Sequence, residues 1–240
     1  MRTDVMGVGF DELTLEQAVD RGAVLAGETG FHYVVTPNPE IVMLARKDER
    51  FASVLRQADL VLPDGIGIIK AAAILGRGPK ERVPGIDFAA GLMERLAAEG
   101  KRLFLLGAKP GVAEQAALRL EKQFPGLEIC GTHDGYFKED APVIRAILEA
   151  RADVVFVCLG APKQELWMAE HGASTGAKLM VGLGGALDVF AGVVERAPEK
   201  WQRMGLEWLY RLKKEPRRIT RMARLPLFLV AAVGTRLRGK

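Results

Sequence analysis

Short apolar runs that alternate with segments of helical length constrain the fold of this 240-residue chain more than any other feature. The runs are continuous and rich in β-branched residues, which is typical of strands that are covered on both faces. They comprise residues 31–36, 58–62, 102–106, 127–130, 153–159 and 178–183. Strands that alternate with helices predict an α/β fold, Rossmann-like, with a mainly parallel sheet flanked by helices.

The helical segments and the end of the strand pattern define the predicted domain organisation. Residues 40–46, 113–123 and 144–150 are predicted to be helical, and Thr14-Leu15-Glu16-Gln17 fits a capping box that opens a further helix. The strand pattern stops near residue 195. We therefore predict an α/β catalytic core over residues 1–195 and a C-terminal appendage over residues 196–240.

The appendage is strongly basic, although the whole chain has a formal net charge of only +4. Residues 196–240 carry a local charge of +10 and the first 195 residues carry −6. Trp201, Met204, Trp208 and Leu212 recur at helical spacing among the basic residues. A basic amphipathic helix is typical of docking on an anionic membrane surface. The alternative is a helix that packs on the core through its tryptophans.

Features at both ends of the chain and the number of cysteines predict a peripheral membrane protein. The segment from Leu225 to Leu229 is expected to add shallow apolar contact with lipid. The longest uncharged apolar stretch near the end of the chain, residues 225–233, is too short to cross a bilayer. The N-terminus does not resemble a signal peptide, and two cysteines do not make a disulfide framework. We expect a cytoplasmic protein associated with the inner face of the cell membrane.

Small and polar residues follow the predicted strands at the edge where open parallel sheets bind their ligands. The residues that follow the first two strands are Thr36, Asn38 and Asp64. Those that follow the later strands are Gly107, Gly160, Lys163, Gln164, Glu165, Gly184, Gly185 and Asp188. This convergence predicts a binding crevice at the carboxyl edge of the sheet.

Two glycine-rich turns at this edge are candidates for phosphate binding. Gly182-Leu183-Gly184-Gly185 leads into a predicted helix, and Gly107-Ala108-Lys109-Pro110-Gly111 makes a similar turn. Glycines let backbone amides approach an anion, and a helix N-terminus favours negative charge. The alternative is that the same glycines only allow tight packing of strand against helix. The chain lacks the P-loop pattern, which disfavours a P-loop nucleotide hydrolase.

Asp64 is the candidate general base. It follows a strand within the apolar segment Val61-Leu62-Pro63-Asp64-Gly65-Ile66. Partial desolvation there is expected to raise its pKa, which suits a base that removes a proton from a sugar hydroxyl. The alternative is an aspartate that only shapes the turn before Gly65. Asp188 is the rival candidate.

The chain has no Asp-x-Asp pair, the pattern with which many sugar-nucleotide enzymes hold a divalent metal. Basic side chains, among them Arg82, and backbone amides are therefore expected to neutralise a diphosphate. The cysteines and histidines do not fall in a zinc-ligand spacing. We expect neither a metal nor a cofactor.

Several separated motifs resemble those of the WecG/TagA/CpsF family of bacterial glycosyltransferases, over about residues 5 to 225. The first motifs are Thr36-Pro37-Asn38, Leu62-Pro63-Asp64-Gly65, Arg82-Val83-Pro84-Gly85-Ile86-Asp87 and Gly135-Tyr136-Phe137. The later ones are Gly160-Ala161-Pro162-Lys163-Gln164-Glu165, Gly182-Leu183-Gly184-Gly185-Ala186-Leu187-Asp188, Arg196-Ala197-Pro198, Gly205-Leu206-Glu207-Trp208 and Glu215-Pro216-Arg217-Arg218.

The resemblance implies an inverting, metal-independent enzyme that transfers N-acetylmannosamine or a related sugar from UDP to undecaprenyl-diphosphate-linked N-acetylglucosamine, in teichoic acid or other surface polysaccharide synthesis. It implies that Asp64 is the base and that Thr36, Asn38 and Arg82 lie in the catalytic pocket. Donor contacts are implied for Lys163, Gln164, Glu165, Gly184 and Gly185. It also implies that the appendage closes over the site and contributes Arg211 or Arg218.

Two other functions are compatible with parts of the sequence. A Rossmann-type NAD-dependent oxidoreductase would use the same fold, but the chain lacks the G-x-G-x-x-G turn with its downstream acid. An RNA-binding protein would use the basic tail, but no aromatic-rich RNA motif accompanies it, so we expect no nucleic-acid partner. The sequence leaves a homo-oligomer open.

Overall fold

In the computed structural model, which describes residues 2–214 and 224–238, the chain begins with an antiparallel hairpin of β1 (Arg2–Val5) and β2 (Val8–Asp11). Both residues of its two-residue turn have positive φ, 64° at Met6 and 93° at Gly7. This hairpin was not predicted from the sequence, because a Met-Gly turn lacks the usual Asn-Gly or Asp-Gly signal. The Asp11 carboxylate accepts a hydrogen bond of 2.8 Å from the backbone N–H of Val61, so the hairpin covers one edge of the central sheet.

The central sheet has six strands, and every neighbouring pair in it is parallel. Its strands are β3 (His32–Val35), β4 (Leu60–Val61), β5 (Arg102–Gly107), β6 (Glu128–His133), β7 (Val154–Cys158) and β8 (Leu179–Gly182). Their spatial order is β4-β3-β8-β7-β5-β6. Each strand overlaps one of the six apolar runs, and the predicted α/β fold is confirmed.

Helices lie on both faces of the sheet. The first six are α1 (Leu15–Gly27), α2 (Pro39–Ala45), α3 (Glu49–Gln57), α4 (Ile66–Leu75), α5 (Gly85–Glu99) and α6 (Val112–Gln123). The others described are α7 (Asp140–Glu149), α8 (Lys163–His171), α9 (Ala186–Phe190), α10 (Glu199–Arg203), α11 (Glu207–Lys214) and α12 (Arg224–Arg238). The predicted capping box is present at α1, where Thr14 and Gln17 cap each other's backbone N–H groups.

Two apolar clusters, one on each face, form the core. Alternate residues of the strands enter opposite clusters: Val154 and Phe156 pack with α1, α5 and α6, whereas Val155 and Val157 pack with α2, α4 and α8. Because both faces of each strand are buried, the strands read as continuous apolar runs rather than as alternating ones.

The last helix, α12, packs on the second of these clusters. Phe228 is 0% exposed and Ala232 is buried, among residues of α2 and α4. Gly67 leaves the space for this contact, since a Cβ there would lie 2.5 Å from Leu225 Cδ1. The expectation that residues 225–229 add shallow apolar contact with lipid is therefore wrong for Phe228, which is buried in the core in this structure. The division of the chain at residue 195 stays a prediction.

The apolar residues at helical spacing in the appendage do not lie on one continuous helix. The turn at Met204–Leu206 separates α10 from α11, because Gly205 adopts a φ of 68° and packs against Ile66. Trp201 packs instead on Tyr210 across this turn, with 5.8 Å between ring centroids. In the described residues we find no helix with the length and apolarity needed to cross a membrane.

Candidate active site at the carboxyl edge of the sheet

The ends of β3 and β4 place Asp64 beside Asn38. The backbone N–H of Leu62 donates to the Val35 carbonyl at 2.9 Å, and that of Asp64 donates to the Pro37 carbonyl at 3.2 Å. Asp64 is half-buried, and Gly65, with a φ of 86°, turns the chain into α4. The predicted base therefore lies, half-buried, at the carboxyl edge of the sheet.

Thr36 and Asn38 both make hydrogen bonds that stabilise this edge. The Thr36 hydroxyl is buried and donates to the Gly182 carbonyl at 2.9 Å, which joins the end of β3 to the end of β8. The Asn38 carboxamide oxygen caps α2 by accepting from the backbone N–H groups of Glu40 and Ile41. Both predicted pocket residues thus lie next to Asp64, and their observed contacts fix the backbone around it.

The glycine turn after β8 is held by a side chain of α8. Gly184 has a φ of 56°, and its N–H donates to Gln164 Oε1 at 2.9 Å. Gln164 is only 2% exposed, and its Nε2 donates to Glu165 Oε1 at 2.9 Å. Gly185 is exposed beside this anchored turn and lies close to Asp188, which is in the first turn of α9. The predicted phosphate-binding turn is therefore rigidly attached to the start of α8.

A second group of predicted residues lies where β5 and β7 end. A Cβ on Gly107 would lie 2.3 Å from the Cys158 carbonyl oxygen, so only glycine permits this close approach of the two strand ends. Lys163 Nζ donates to the Gly135 carbonyl at 3.2 Å and lies 4.4 Å from the ring centroid of Phe137. The connections that leave β5 and β7 run in opposite directions along the sheet, and open parallel sheets bind their ligands at the carboxyl ends of such a strand pair. Gly160, with a φ of 76°, lies between β7 and Lys163.

Two arginines lie in ion pairs near Asp64. Arg82 Nη1 is 3.3 Å from Glu207 Oε2, and both side chains are largely buried. Arg196 makes a bidentate pair with Asp87, with contacts of 2.6 and 2.8 Å. Burial lowers the pKa of Arg196, but its hydrogen bond to Asp87 and the nearby carboxylates of Asp87, Glu207 and Asp64 outweigh this and raise the pKa. Arg196 is therefore a fixed cation in the neighbourhood of the candidate base.

Arg196, Asp87 and Glu207 were not predicted as site residues, although each lies within a quoted motif. The motif Arg196-Ala197-Pro198 was the available signal, but the sequence alone does not indicate which acid Arg196 meets. Of the predicted tail arginines, Arg211 belongs to α11 and Arg218 lies outside the described residues. Their predicted contact with the donor stays a prediction.

Glu165 is the most deeply buried acid of the site. It is 0% exposed, and burial raises its pKa to about 7, against smaller opposing effects of its hydrogen bonds with Gln164 and with its own backbone N–H. Its Oε2 atom is buried and has no hydrogen-bond partner among the described residues. Glu165 is therefore an internal residue of the site, in contact with Gln164.

We expect this carboxyl to make the stability of the protein depend on pH. The unfolded chain loses the proton of Glu165 near its ordinary pKa of 4.5, whereas the folded protein keeps it up to about 7. The folded state binds more protons in that window, so the free energy of unfolding falls as the pH rises, by about 3 kcal/mol in total. Glu165→Gln removes the titration. The wild-type protein should therefore lose most of that amount between pH 5 and pH 8, and the variant should not. Urea denaturation at each pH measures the difference in free energy of unfolding between the two proteins. A difference that does not change with pH would contradict the assignment.

Possible metal ligands are dispersed in the described parts of the chain. No group of three or more His, Cys, Asp or Glu side chains there is arranged to hold a metal ion. Both cysteines are free thiols, and burial raises the pKa of Cys158 to about 12, which makes it a poor nucleophile. The expectation that no metal is needed stays a prediction.

Comparison with known proteins gives one family. The model of the glycosyl transferase WecG/TagA/CpsF family matches residues 3–240. The chain is 38% identical over 201 residues to an N-acetylglucosaminyldiphosphoundecaprenol N-acetyl-beta-D-mannosaminyltransferase of Bacillus spizizenii, and the match covers 84% of this chain and 78% of the relative. It is 33% identical over 230 residues to a Staphylococcus aureus enzyme of the same name, and this match covers 95% of this chain and 91% of the relative.

Proposed function

Because the chain belongs to the WecG/TagA/CpsF family of glycosyl transferases, we propose that it transfers N-acetylmannosamine, or a related sugar, from UDP to undecaprenyl-diphosphate-linked N-acetylglucosamine. The observation that carries this proposal is the convergence of Asp64, Thr36, Asn38 and the Gly184 turn at one edge of the sheet. This edge offers a half-buried carboxylate for proton transfer next to an anchored glycine turn for the donor diphosphate. The product would enter cell-wall polysaccharide synthesis of the teichoic acid type.

The proposed reaction is a single displacement. Asp64 removes the proton of the acceptor hydroxyl, and the oxygen attacks the anomeric carbon of the donor sugar from the face opposite UDP. The bond between the anomeric carbon and the diphosphate oxygen breaks as the new bond forms, and UDP leaves with the electron pair. The anomeric configuration is inverted, and the proton remains on Asp64 until it passes to solvent.

Fixed positive groups are proposed to stabilise the departing diphosphate. Arg82 and Arg196 are already oriented by Glu207 and Asp87, so little reorganisation is needed when negative charge develops. Lys163 supplies a further cation at the carboxyl ends of β5 and β7. In this proposal these side chains and the backbone amides of the glycine turn do the work for which other sugar-nucleotide enzymes use a metal ion.

The exposed face of α12 is proposed to contact the membrane that holds the acceptor. Leu227, Val230, Val233 and Leu237 are exposed on one side of this helix, and Phe228 is buried on the other. Leu225, at the start of α12, packs against Gly67 in α4, only three residues after Asp64. Docking of this face on an anionic inner leaflet would therefore bring the lipid-linked acceptor close to the base.

The first test is release of UDP from UDP-N-acetylmannosamine in the presence of a lipid-diphosphate-linked N-acetylglucosamine and EDTA. We expect release that requires the acceptor and persists with EDTA. Activity only with another UDP-sugar would keep the reaction and change the donor. Loss of activity in EDTA that returns with a divalent cation would overturn metal independence. No release with any donor, together with thermal protection by NAD rather than by UDP, would favour an oxidoreductase instead.

A further inference from the structure

Hydrogen bonds on either side of the backbone of residues 182–184 connect three elements at the base of the site. The Thr36 hydroxyl at the end of β3 donates to the Gly182 carbonyl of β8, and the Gly184 N–H that follows β8 donates to Gln164 Oε1 of α8. The network ends at Glu165, whose Oε1 accepts from Gln164 Nε2. One buried carboxyl therefore lies at the inner end of the contacts that hold the glycine turn.

The Gln164 carboxamide occupies a tightly restricted space. A Cβ on Gly182 would lie 3.0 Å from Gln164 Nε2 and 3.0 Å from Met168 Cε, so the carboxamide packs directly on the strand backbone. The carboxamide offers one oxygen and one nitrogen, and each has a partner, Gly184 N–H for the oxygen and Glu165 for the nitrogen. Rotation of the carboxamide by 180° would present its NH₂ group to the Gly184 N–H and lose that hydrogen bond.

Since Glu165 is completely buried, its role in the site runs through its neighbour. We propose that Glu165 is a positioning residue of the donor site: it orients the Gln164 carboxamide so that Gln164 Oε1 holds the Gly184 N–H and fixes the glycine turn that receives the donor diphosphate. The last clause rests on the proposed function, whereas the effect on the Gly184 N–H does not. The neutral form that burial favours for Glu165 still accepts through a carboxyl oxygen, so the role depends on an acceptor atom rather than on a negative charge.

The physical cost of removing this acceptor defines the expected effect. Without Glu165 Oε1 the buried Gln164 Nε2 has no acceptor, and an unsatisfied buried donor carries a free-energy penalty. This penalty favours a rotated carboxamide or a displaced one with a water molecule beside it. The Gly184 N–H then loses its acceptor, and the turn gains conformational freedom that the donor must remove on binding. We expect about tenfold weaker donor binding, which corresponds to about 1.4 kcal/mol.

The experiment uses four variants of the network and one control variant, all in the full chain. Glu165→Leu removes the acceptor, Glu165→Gln keeps it without the ionisable group, Gln164→Leu removes the next member, and Glu165→Leu/Gln164→Leu removes both. Glu170→Leu is the matched control, because Glu170 is an exposed acid on the same helix that pairs with Arg50 on the surface. The readouts are the hydrogen-exchange rate of the Gly184 N–H, the affinity for UDP, and kcat and KM for the donor.

Glu165→Leu should accelerate exchange at Gly184 and raise the donor KM about tenfold with a much smaller change in kcat, because the chemistry at Asp64 is untouched. Glu165→Gln and Glu170→Leu should each keep the wild-type exchange rate at Gly184 and the wild-type donor KM. The double variant should show no larger rise in donor KM than Gln164→Leu alone, since the effects of two members of one network are not additive.

The positioning role would be overturned if folded Glu165→Leu showed unchanged exchange at Gly184. It would also be overturned if the double variant lost as much donor affinity as the two single variants together. If Glu165→Leu does not fold, Glu165→Gln and Gln164→Leu decide: the role fails if Gln164→Leu leaves Gly184 exchange unchanged or if Glu165→Gln accelerates it. A wild-type protein that binds no UDP would instead overturn the proposed function, and the exchange of Gly184 would still test the network.

Discussion

Replacement of Asp64 by asparagine should lower the turnover number by about 10²–10⁴-fold, the range that general base catalysis contributes. Asparagine has nearly the same size and keeps a carbonyl oxygen, so the turn between β4 and α4 should persist. The backbone N–H of residue 64 still donates to the Pro37 carbonyl, because the substitution changes only the side chain. Affinity for UDP should therefore change little, and the loss should appear in kcat rather than in the donor KM. Steady-state kinetics and calorimetric UDP binding measure the two effects separately.

The matched control for this prediction is Asp188→Asn. Asp188 was the rival base in the sequence, and it lies by the glycine turn at the start of α9 rather than at the end of β4. We expect Asp188→Asn to alter donor binding more than turnover. If Asp188→Asn abolished turnover and Asp64→Asn did not, the assignment of the base would be reversed.

The sheet and its binding edge were predictable because their signals are local in the sequence. Continuous apolar runs such as Val154–Cys158 indicate a strand buried on both faces, and helical segments between them require parallel connections. Parallel connections place every strand's carboxyl end at the same edge, so Thr36, Asp64 and Gly184 were expected together before any contact was known. Polar residues directly after such runs are therefore informative without knowledge of the strand order.

The features that escaped prediction depend on contacts between distant parts of the chain. The pair of Arg196 with Asp87 joins residues 109 positions apart, and the pair of Arg82 with Glu207 joins residues 125 positions apart. No periodicity or turn chemistry encodes which arginine meets which acid. The burial of Glu165 was hidden for a related reason: a charged residue in the first turn of a helix ordinarily faces solvent, and only the packing of α8 on the sheet makes this one internal.

Phe228→Ala should lower the free energy of unfolding by about 3–5 kcal/mol, the usual cost of removing a fully buried phenylalanine side chain. Phe228 is 0% exposed and belongs to the cluster that α2, α4 and the hairpin also form. The loss should appear as a lower urea midpoint, and hydrogen exchange should show earlier opening of α12 than of the central strands. This result would establish that the buried face of α12 belongs to the protein core in solution.

Leu227→Ala is the matched control on the other face of the same helix, because Leu227 is 62% exposed. A surface substitution of this kind should change stability by less than about 0.5 kcal/mol. If the exposed face of α12 contacts lipid, Leu227→Ala should weaken binding to vesicles that contain anionic lipid several-fold, whereas Phe228→Ala should reduce stability first. The opposite pattern, with Phe228→Ala neutral in urea and more damaging than Leu227→Ala on vesicles, would mean that α12 leaves the core and inserts its phenylalanine into the membrane. These two neighbouring residues thereby separate the two roles that the sequence left open for the appendage.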